Sequence, residues 1–270
     1  MSRSKPRYIV GDKTATGNTS LDSSLGNIPG VDPLGKFGAA TNGIQTTATD
    51  IWDRADATPT QPIWLAPTQA RVHNIVSTSA NDTAAGTGAN TIRVYGLTSW
   101  TTEEVSEDLT MNGVTNVPTT NSYVIIHRMK CLTWGSAGPN VGVITATAVT
   151  DATVTAQINV GWGQTEMAIY GIPSGKRLKI TKWRYGMNKT SGVSADAKFF
   201  MLYNPIPDSV TTGFITKDVN SVQSTGVNTM ELTYDPPKSF DGPGIIKIQA
   251  TASVNDIDGD SSFDGYVVDD

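Results

Sequence analysis

The feature that most constrains this chain is a succession of short, Thr- and Val-rich segments that alternate apolar and polar residues and are broken by Gly, Pro, Asn and Asp. Period-2 alternation is the signature of a half-buried strand, and the breakers supply the turns between strands. Met230, Leu232 and Tyr234 alternate with Thr229, Glu231 and Thr233, and Ile246, Ile248 and Ala250 alternate with Lys247, Gln249 and Thr251. Each set predicts a strand with one buried and one wet face. Phe199-Phe-Met-Leu-Tyr203 is apolar on both faces, so it predicts a strand covered twice, by the chain's own loops or by a subunit interface. No ten-residue stretch carries an amphipathic helical period. The expected fold is all-β: a β-sandwich of jelly-roll type over residues 51–270, with a division into two sandwiches near residue 160 left open.

Turn chemistry sharpens the pattern. Asn112-Gly113 lies between Val105–Met111 and Val114–Thr120 and predicts a two-residue hairpin, because both residues accept the positive φ of a type I′ turn. Ile172-Pro173-Ser174-Gly175 predicts a type I turn between 165–172 and 176–187.

Residues 1–50 break the rule. Leu21, Leu25, Ile28, Val31, Leu34 and Phe37 stand isolated among Gly, Thr, Asn, Ser and Asp, with neither period 2 nor period 3.6. Such a segment cannot bury enough apolar surface against itself to offset its backbone entropy. It reads as an extended arm that orders against a neighbouring subunit. The expected interface is Leu21, Leu25, Ile28, Leu34 and Phe37 on the arm, with Phe199, Met201 and Tyr203 on the apolar strand. Arg3, Lys5 and Arg7 form a small cationic tip suited to an acidic surface or a packaged genome.

Elsewhere the net charge of −5 argues against a protein that coats nucleic acid, so such contact is expected no further than the arm tip. The single cysteine, Cys131, excludes an internal disulfide framework and reads as a small buried side chain. No apolar stretch is long enough to cross a bilayer, and the first residues lack the apolar core of a secretory signal.

The search for catalytic chemistry finds no catalytic residues. His73 and His127 are the only histidines; each sits in a β-like run, and His127 reads as a strand-edge residue. Gly135-Ser-Ala-Gly138 has the wrong spacing for a nucleophile elbow, and Gly86-Thr-Gly88 lacks the third glycine of a dinucleotide loop. Glu103, Glu104, Glu107 and Asp108 read as the solvated face of one strand. Asp256, Asp258 and Asp260 alternate as a Ca²⁺ loop would require, with an acidic turn as the alternative; no other cofactor is expected. Trp52, Trp64, Trp100, Trp134, Trp162 and Trp183 are dispersed, as core residues would be, although a sugar-stacking platform could draw on them.

Several stretches together resemble a family. Gly96-Leu97, Trp100, Glu104, Asn112-Gly113, Val117, Thr119-Thr120, Tyr123 and Ile126-His127-Arg128 form one; Gln164 to Lys176 and Ile246 to Ala252 are two more. The pattern, covering much of 96–252, resembles poorly characterised virion structural proteins of tailed bacteriophages of aquatic bacteria. The resemblance implies a non-enzymatic protein of the capsid or head, made in the host cytoplasm. The leading expectation is a cement or decoration subunit that stabilises the head lattice through its arm. Its partners would be the major capsid protein or other virion proteins, with no membrane involved. It would be a homo-oligomer, with a trimer as the expected form. The alternatives are a head- or tail-fibre module that binds host glycans, and a shell-forming capsid protein.

Overall fold

The computed structural model describes residues 19–55, 61–188, 194–208, 213–224 and 228–270. Strands make up 57% of it and helix 2%, so the all-β expectation holds. A six-residue helix, α1 (Thr19–Ser24), precedes β1 (Val31–Ile44) and β2 (Thr49–Asp50). Then come β3 (His73–Ser77), β4 (Ala89–Leu97), β5 (Val105–Thr110), β6 (Val117–Pro118), β7 (Ile125–Trp134), β8 (Ile144–Ala148) and β9 (Val154–Ile158). The last seven are β10 (Ile169–Ile172), β11 (Lys176–Asn188), β12 (Asp196–Asn204), β13 (Ile215–Gln223), β14 (Thr229–Asp241), β15 (Gly244–Ala252) and β16 (Ile257–Asp269).

Two antiparallel sheets, β1-β16-β11-β14 and β10-β15-β12-β13, make the first sandwich, with β2 beside β15. With β1 counted first and β10 to β16 as second to eighth, the orders are 1-8-3-6 and 2-7-4-5, the connectivity of a jelly roll. Its core crosses from sheet to sheet through aromatic rings: Trp183 lies 4.8 Å from Tyr185, and Tyr185 lies 5.4 Å from Phe199. Each such fully buried side chain contributes about 2 kcal/mol or more. The second sandwich, sheets β6-β3-β8-β9 and β5-β4-β7, is inserted between β2 and β10. Ile75, Ile144 and Ile158 from one of its sheets, and Ile92, Val94 and Met129 from the other, are fully buried. The sandwiches therefore do not divide the chain once near residue 160; residues 31–50 and 169–269 build the jelly roll, and 73–158 build the insert.

The arm is the principal correction. Residues 31–44 are β1, paired from Val31↔Val268 to Ala40↔Gly259 with β16 of the same chain. Alternation is present there after all: Lys36, Gly38 and Ala40 face inward while Gly35 and Phe37 face solvent. It is carried by a lysine, a glycine and an alanine, so hydropathy does not register it. Of the expected interface residues, Leu21, Leu25 and Phe37 are exposed and Ile28 and Leu34 half-buried. Phe199, Met201 and Tyr203 are core residues of their own subunit, and Tyr203 packs 5.3 Å from Phe240. Arg3, Lys5 and Arg7 lie outside the described residues.

Three local readings also change. Asn112-Gly113 closes no hairpin, because β5 pairs with β4 while β6 pairs with β3 in the opposite sheet. Only Gly113 has positive φ, and its N–H and C=O bond Asp82 and Ser77 as the chain changes sheets. Strand β15 is buried on both faces, not one: Lys247 turns inward and its ammonium meets the buried Asp50. A turn is present but one residue later than expected and of another type: Lys176 N donates to Pro173 O at 3.3 Å and Gly175, in the third position, has positive φ, which a type I turn does not allow; it passes the chain from β10 in one jelly-roll sheet to β11 in the other.

Candidate functional site

A cleft of about 320 Å³ lies where β1 of the jelly roll faces β4 and β7 of the insert. It is lined by Asp32 to Lys36 of β1, by Tyr95, Arg128 and Lys130 of the insert, and by Glu103, Glu104, Gln164, Tyr170 and Lys176. The register of β4 against β7 passes from Tyr95↔Arg128 to Gly96↔Ile126, which leaves His127 on a bulge. A bulge frees backbone groups from the ladder and redirects a side chain. The freed carbonyl of His127 accepts a hydrogen bond from the Lys36 ammonium of β1. Its ring Nε2 sits 2.5 Å from Glu104 Oε2. Glu104 is held there by the turn before it, where Thr102 Oγ1 donates to Ser99 O at 2.9 Å. Tyr170 of β10 packs 4.7 Å from the His127 ring.

Burial governs the charges. Lys36 is pushed well below the usual amine value, first by desolvation and then by Arg128. Burial lowers His127 as well, against the pull of Glu104. Burial alone would raise Glu104, but His127, Lys36 and Arg128 outweigh it and keep the carboxyl low. A neutral imidazole donating Nε2–H to an ionised Glu104 fits all three, and this tautomer leaves Nδ1 as an acceptor. Nδ1 is buried without a hydrogen-bond partner. Among the described residues no hydroxyl or thiol bonds this ring, so the pair has an acid–base character without an attached nucleophile.

The two crossings between sandwiches meet beside the cleft. Both Asp53 carboxylate oxygens lie 2.9 Å from Glu166 N, and the side chains of Gln157 and Asn159 donate to Asp53 O at 3.1 and 3.0 Å. Burial raises Asp53 well above the usual carboxylate range, and it raises Glu166 to about 6, with Asp260 adding to the effect. Gly38 of β1 passes so close that a Cβ there would lie 2.5 Å from Ala168 N and 2.6 Å from Ile51 O.

The structure thus assembles Lys36, Asp53, Glu104, His127, Arg128, Glu166 and Tyr170. The sequence places His127 at a strand edge and Glu104 on a solvated face, carries Arg128, Glu166 and Tyr170 only within the stretches of the family resemblance, and gives no role to Lys36 or Asp53. A lysine inside an otherwise uncharged run, Gly35-Lys36-Phe37, was the one available signal. Glu107 is also engaged, accepting from Thr120 N, Asn121 N and the Tyr123 hydroxyl. The Asp256–Asp260 run serves the fold: Asp258 accepts from Asn42 N at 2.6 Å and Asp256 from Gln45 Nε2 at 3.3 Å. Among the described residues no three acidic, His or Cys side chains converge as metal ligands. Cys131 is buried, which raises its thiol to about 12. Trp52, Trp64 and Trp183 are core residues, whereas Trp134 and Trp162 are 52% and 54% exposed.

No protein-family model and no curated protein matches this chain. Among solved structures, it is similar to the crystal structure of the infectious bursal disease virus VP2 subviral particle, at a TM-score of 0.21 and 11% identity over 88% of this chain and 69% of that one. It is similar to the structure of infectious bursal disease virus Gt strain at a TM-score of 0.17 and 10% identity, over 89% and 74% of the two chains. Likeness this low fixes neither ancestry nor function.

Proposed function

We propose that this chain is a non-enzymatic structural subunit of a virus particle, whose jelly roll builds or binds the particle wall while the inserted sandwich projects from it. The observation that carries the reading is the strand order β1-β16-β11-β14 against β10-β15-β12-β13. That order recurs in viral capsid proteins, as well as in lectins and cupins, and the step from fold to function is one of analogy. The sequence resemblance to phage virion proteins points the same way. Stapling of a lattice by residues 31–50 is not part of the proposal, because β1 is occupied within its own subunit. The test is to band particles from lysed producing cells on a density gradient and follow the chain by mass spectrometry. Co-banding with the particle at a fixed ratio supports the proposal; recovery only among soluble proteins at the top of the gradient overturns it.

Exposure of Trp134 and Trp162 favours a second reading, host-glycan recognition by the insert. Exposed indoles are suited to stacking on sugar rings. A glycan array probed with the protein and its Trp134→Ala and Trp162→Ala variants decides this: ligands lost on substitution support the reading, and an unlabelled array ends it.

A further inference from the structure

Four cationic side chains line the cleft between the sandwiches: Lys36, Arg128, Lys130 and Lys176. Two of them are already occupied. The Lys36 ammonium donates to His127 O, and Lys176 Nζ lies 2.6 Å from Asp269 Oδ1 and 3.2 Å from Glu103 Oε1. Arg128 and Lys130 differ. The Arg128 guanidinium donates to Gly35 O at 2.7 Å, and among the described residues neither it nor the exposed Lys130 ammonium forms an ion pair. Strand β4 fixes their common direction: Tyr95 lies opposite Arg128 and Arg93 opposite Lys130, while the pairs Val94↔Met129 and Ile92↔Cys131 are buried in the insert. Arg128 and Lys130 therefore share the outer face of the sheet, about 7 Å apart along β7. Asp108 neutralises Arg93, so these two are left without a counter-charge on that face. Burial, and after it the Arg128 charge, holds Lys36 well below the usual amine value, and an anion beside Arg128 would relieve that repulsion.

We propose that the cleft binds a terminal acidic sugar, with its carboxylate held between Arg128 and Lys130. A guanidinium offers a planar fork that matches a carboxylate, and a neighbouring ammonium adds a point charge. The rest of the lining selects what carries the anion. Asp32, Glu103 and Glu104 repel a polyphosphate or any ligand of uniform negative charge, yet they accept hydrogen bonds from hydroxyls. Gln164, set opposite Lys130 by a single bridge, offers both a donor and an acceptor. Pro33 and Leu34 supply apolar surface for the CH face of a ring. The volume of about 320 Å³ is at the small end for a ligand site, so the cleft takes the end of a glycan and not its length. This site shares with the glycan reading above only its class of ligand, and it depends on neither Trp134 nor Trp162.

Saturation-transfer NMR on the full-length protein tests it. The probes are glucuronic acid and N-acetylneuraminic acid, with glucose as the neutral counterpart of the first and inorganic phosphate as a bare anion. At least one acid should bind about tenfold or more tightly than glucose or phosphate. Lys130→Gln removes a charge that holds no other part of the chain, so it should weaken binding about tenfold or more and leave the urea midpoint unchanged. Trp134→Ala and Trp162→Ala should leave the affinity as it was. Failure of both acids to bind overturns the proposal, as does glucose or phosphate binding equally well, or full affinity in Lys130→Gln. Loss of binding in either tryptophan variant also overturns it, because the acid would then sit on the indoles.

Discussion

Lys247 Nζ lies 2.6 Å from Asp50 Oδ2, and the two side chains are 4% and 0% exposed. The pair ties the second strand of the chain to the strand at the centre of the β10-β15-β12-β13 sheet. Asp50 also accepts from Trp64 N at 2.8 Å, on the path into the insert, and from Gln249 Nε2 at 2.9 Å. Removing one partner leaves an uncompensated buried charge, which costs about 3–5 kcal/mol. Asp50→Ala should therefore lower the denaturation midpoint severely, while Asp50→Leu combined with Lys247→Met should recover most of the loss. Urea unfolding followed by tryptophan fluorescence measures both.

Asp82 is a second buried carboxylate with a different task. It accepts from Ser77 Oγ at 2.6 Å, Ala89 N and Gly142 N at 2.8 Å and Val141 N at 3.0 Å, drawing three loops of the insert together. Asp82→Ala strands these donors and should cost about 3 kcal/mol or more. Asp82→Asn keeps one acceptor oxygen and should lose less. Thermal unfolding of the two variants should rank them in that order.

Acid should weaken the fold through His73. Burial lowers its imidazole from 6.5 to about 4. Between those values the unfolded chain binds a proton that the folded chain refuses, so stability is complete above pH 6.5 and falls as the pH drops toward 4. The loss amounts to about 3 kcal/mol at most. His73→Gln should flatten this part of the stability profile, and denaturation midpoints taken across the window would reveal it.

Glu166 acts with the opposite sign. Its folded value of about 6 exceeds the ordinary 4.5, so the folded state holds the extra proton and stability falls as the pH rises through that window. Glu166→Gln should remove up to about 2 kcal/mol of this dependence. A double-variant series with His73→Gln separates the two slopes.

Gly38 lets β1 approach the backbone of the crossings between the two sandwiches closely. Gly38→Ala places a methyl group against Ala168 N and Ile51 O, both backbone atoms that cannot rotate away. The substitution should loosen the crossings around 51–55 and 166–168 while leaving the core of the insert intact. Limited proteolysis should then release a fragment containing the insert, which the unmodified protein resists.

Strand content was legible because turn residues and period-2 runs are local, and the strand ends at Pro173–Gly175 and around 229–251 follow from them. Pairing was not. Nothing local distinguishes Asn112-Gly113 as a passage between sheets from Asn112-Gly113 as a hairpin, since the deciding bonds come from Ser77 and Asp82. Strand β1 escaped because its inward positions are Lys36, Gly38 and Ala40, chosen by a buried hydrogen bond and by close backbone approach rather than by hydropathy. The cleft was invisible for the same reason: its members come from five distant segments, and the bulge that aims His127 exists only once β4 and β7 have paired.

Pairing of β1 with β16 also sets the timetable of biosynthesis. The insert has all of its strands once the ribosome has passed Ile158, and it can close while later codons are still being read. Val31 must wait for Val268, so through most of translation the nascent jelly roll presents a bare first strand, and that interval is when chaperones would be needed most.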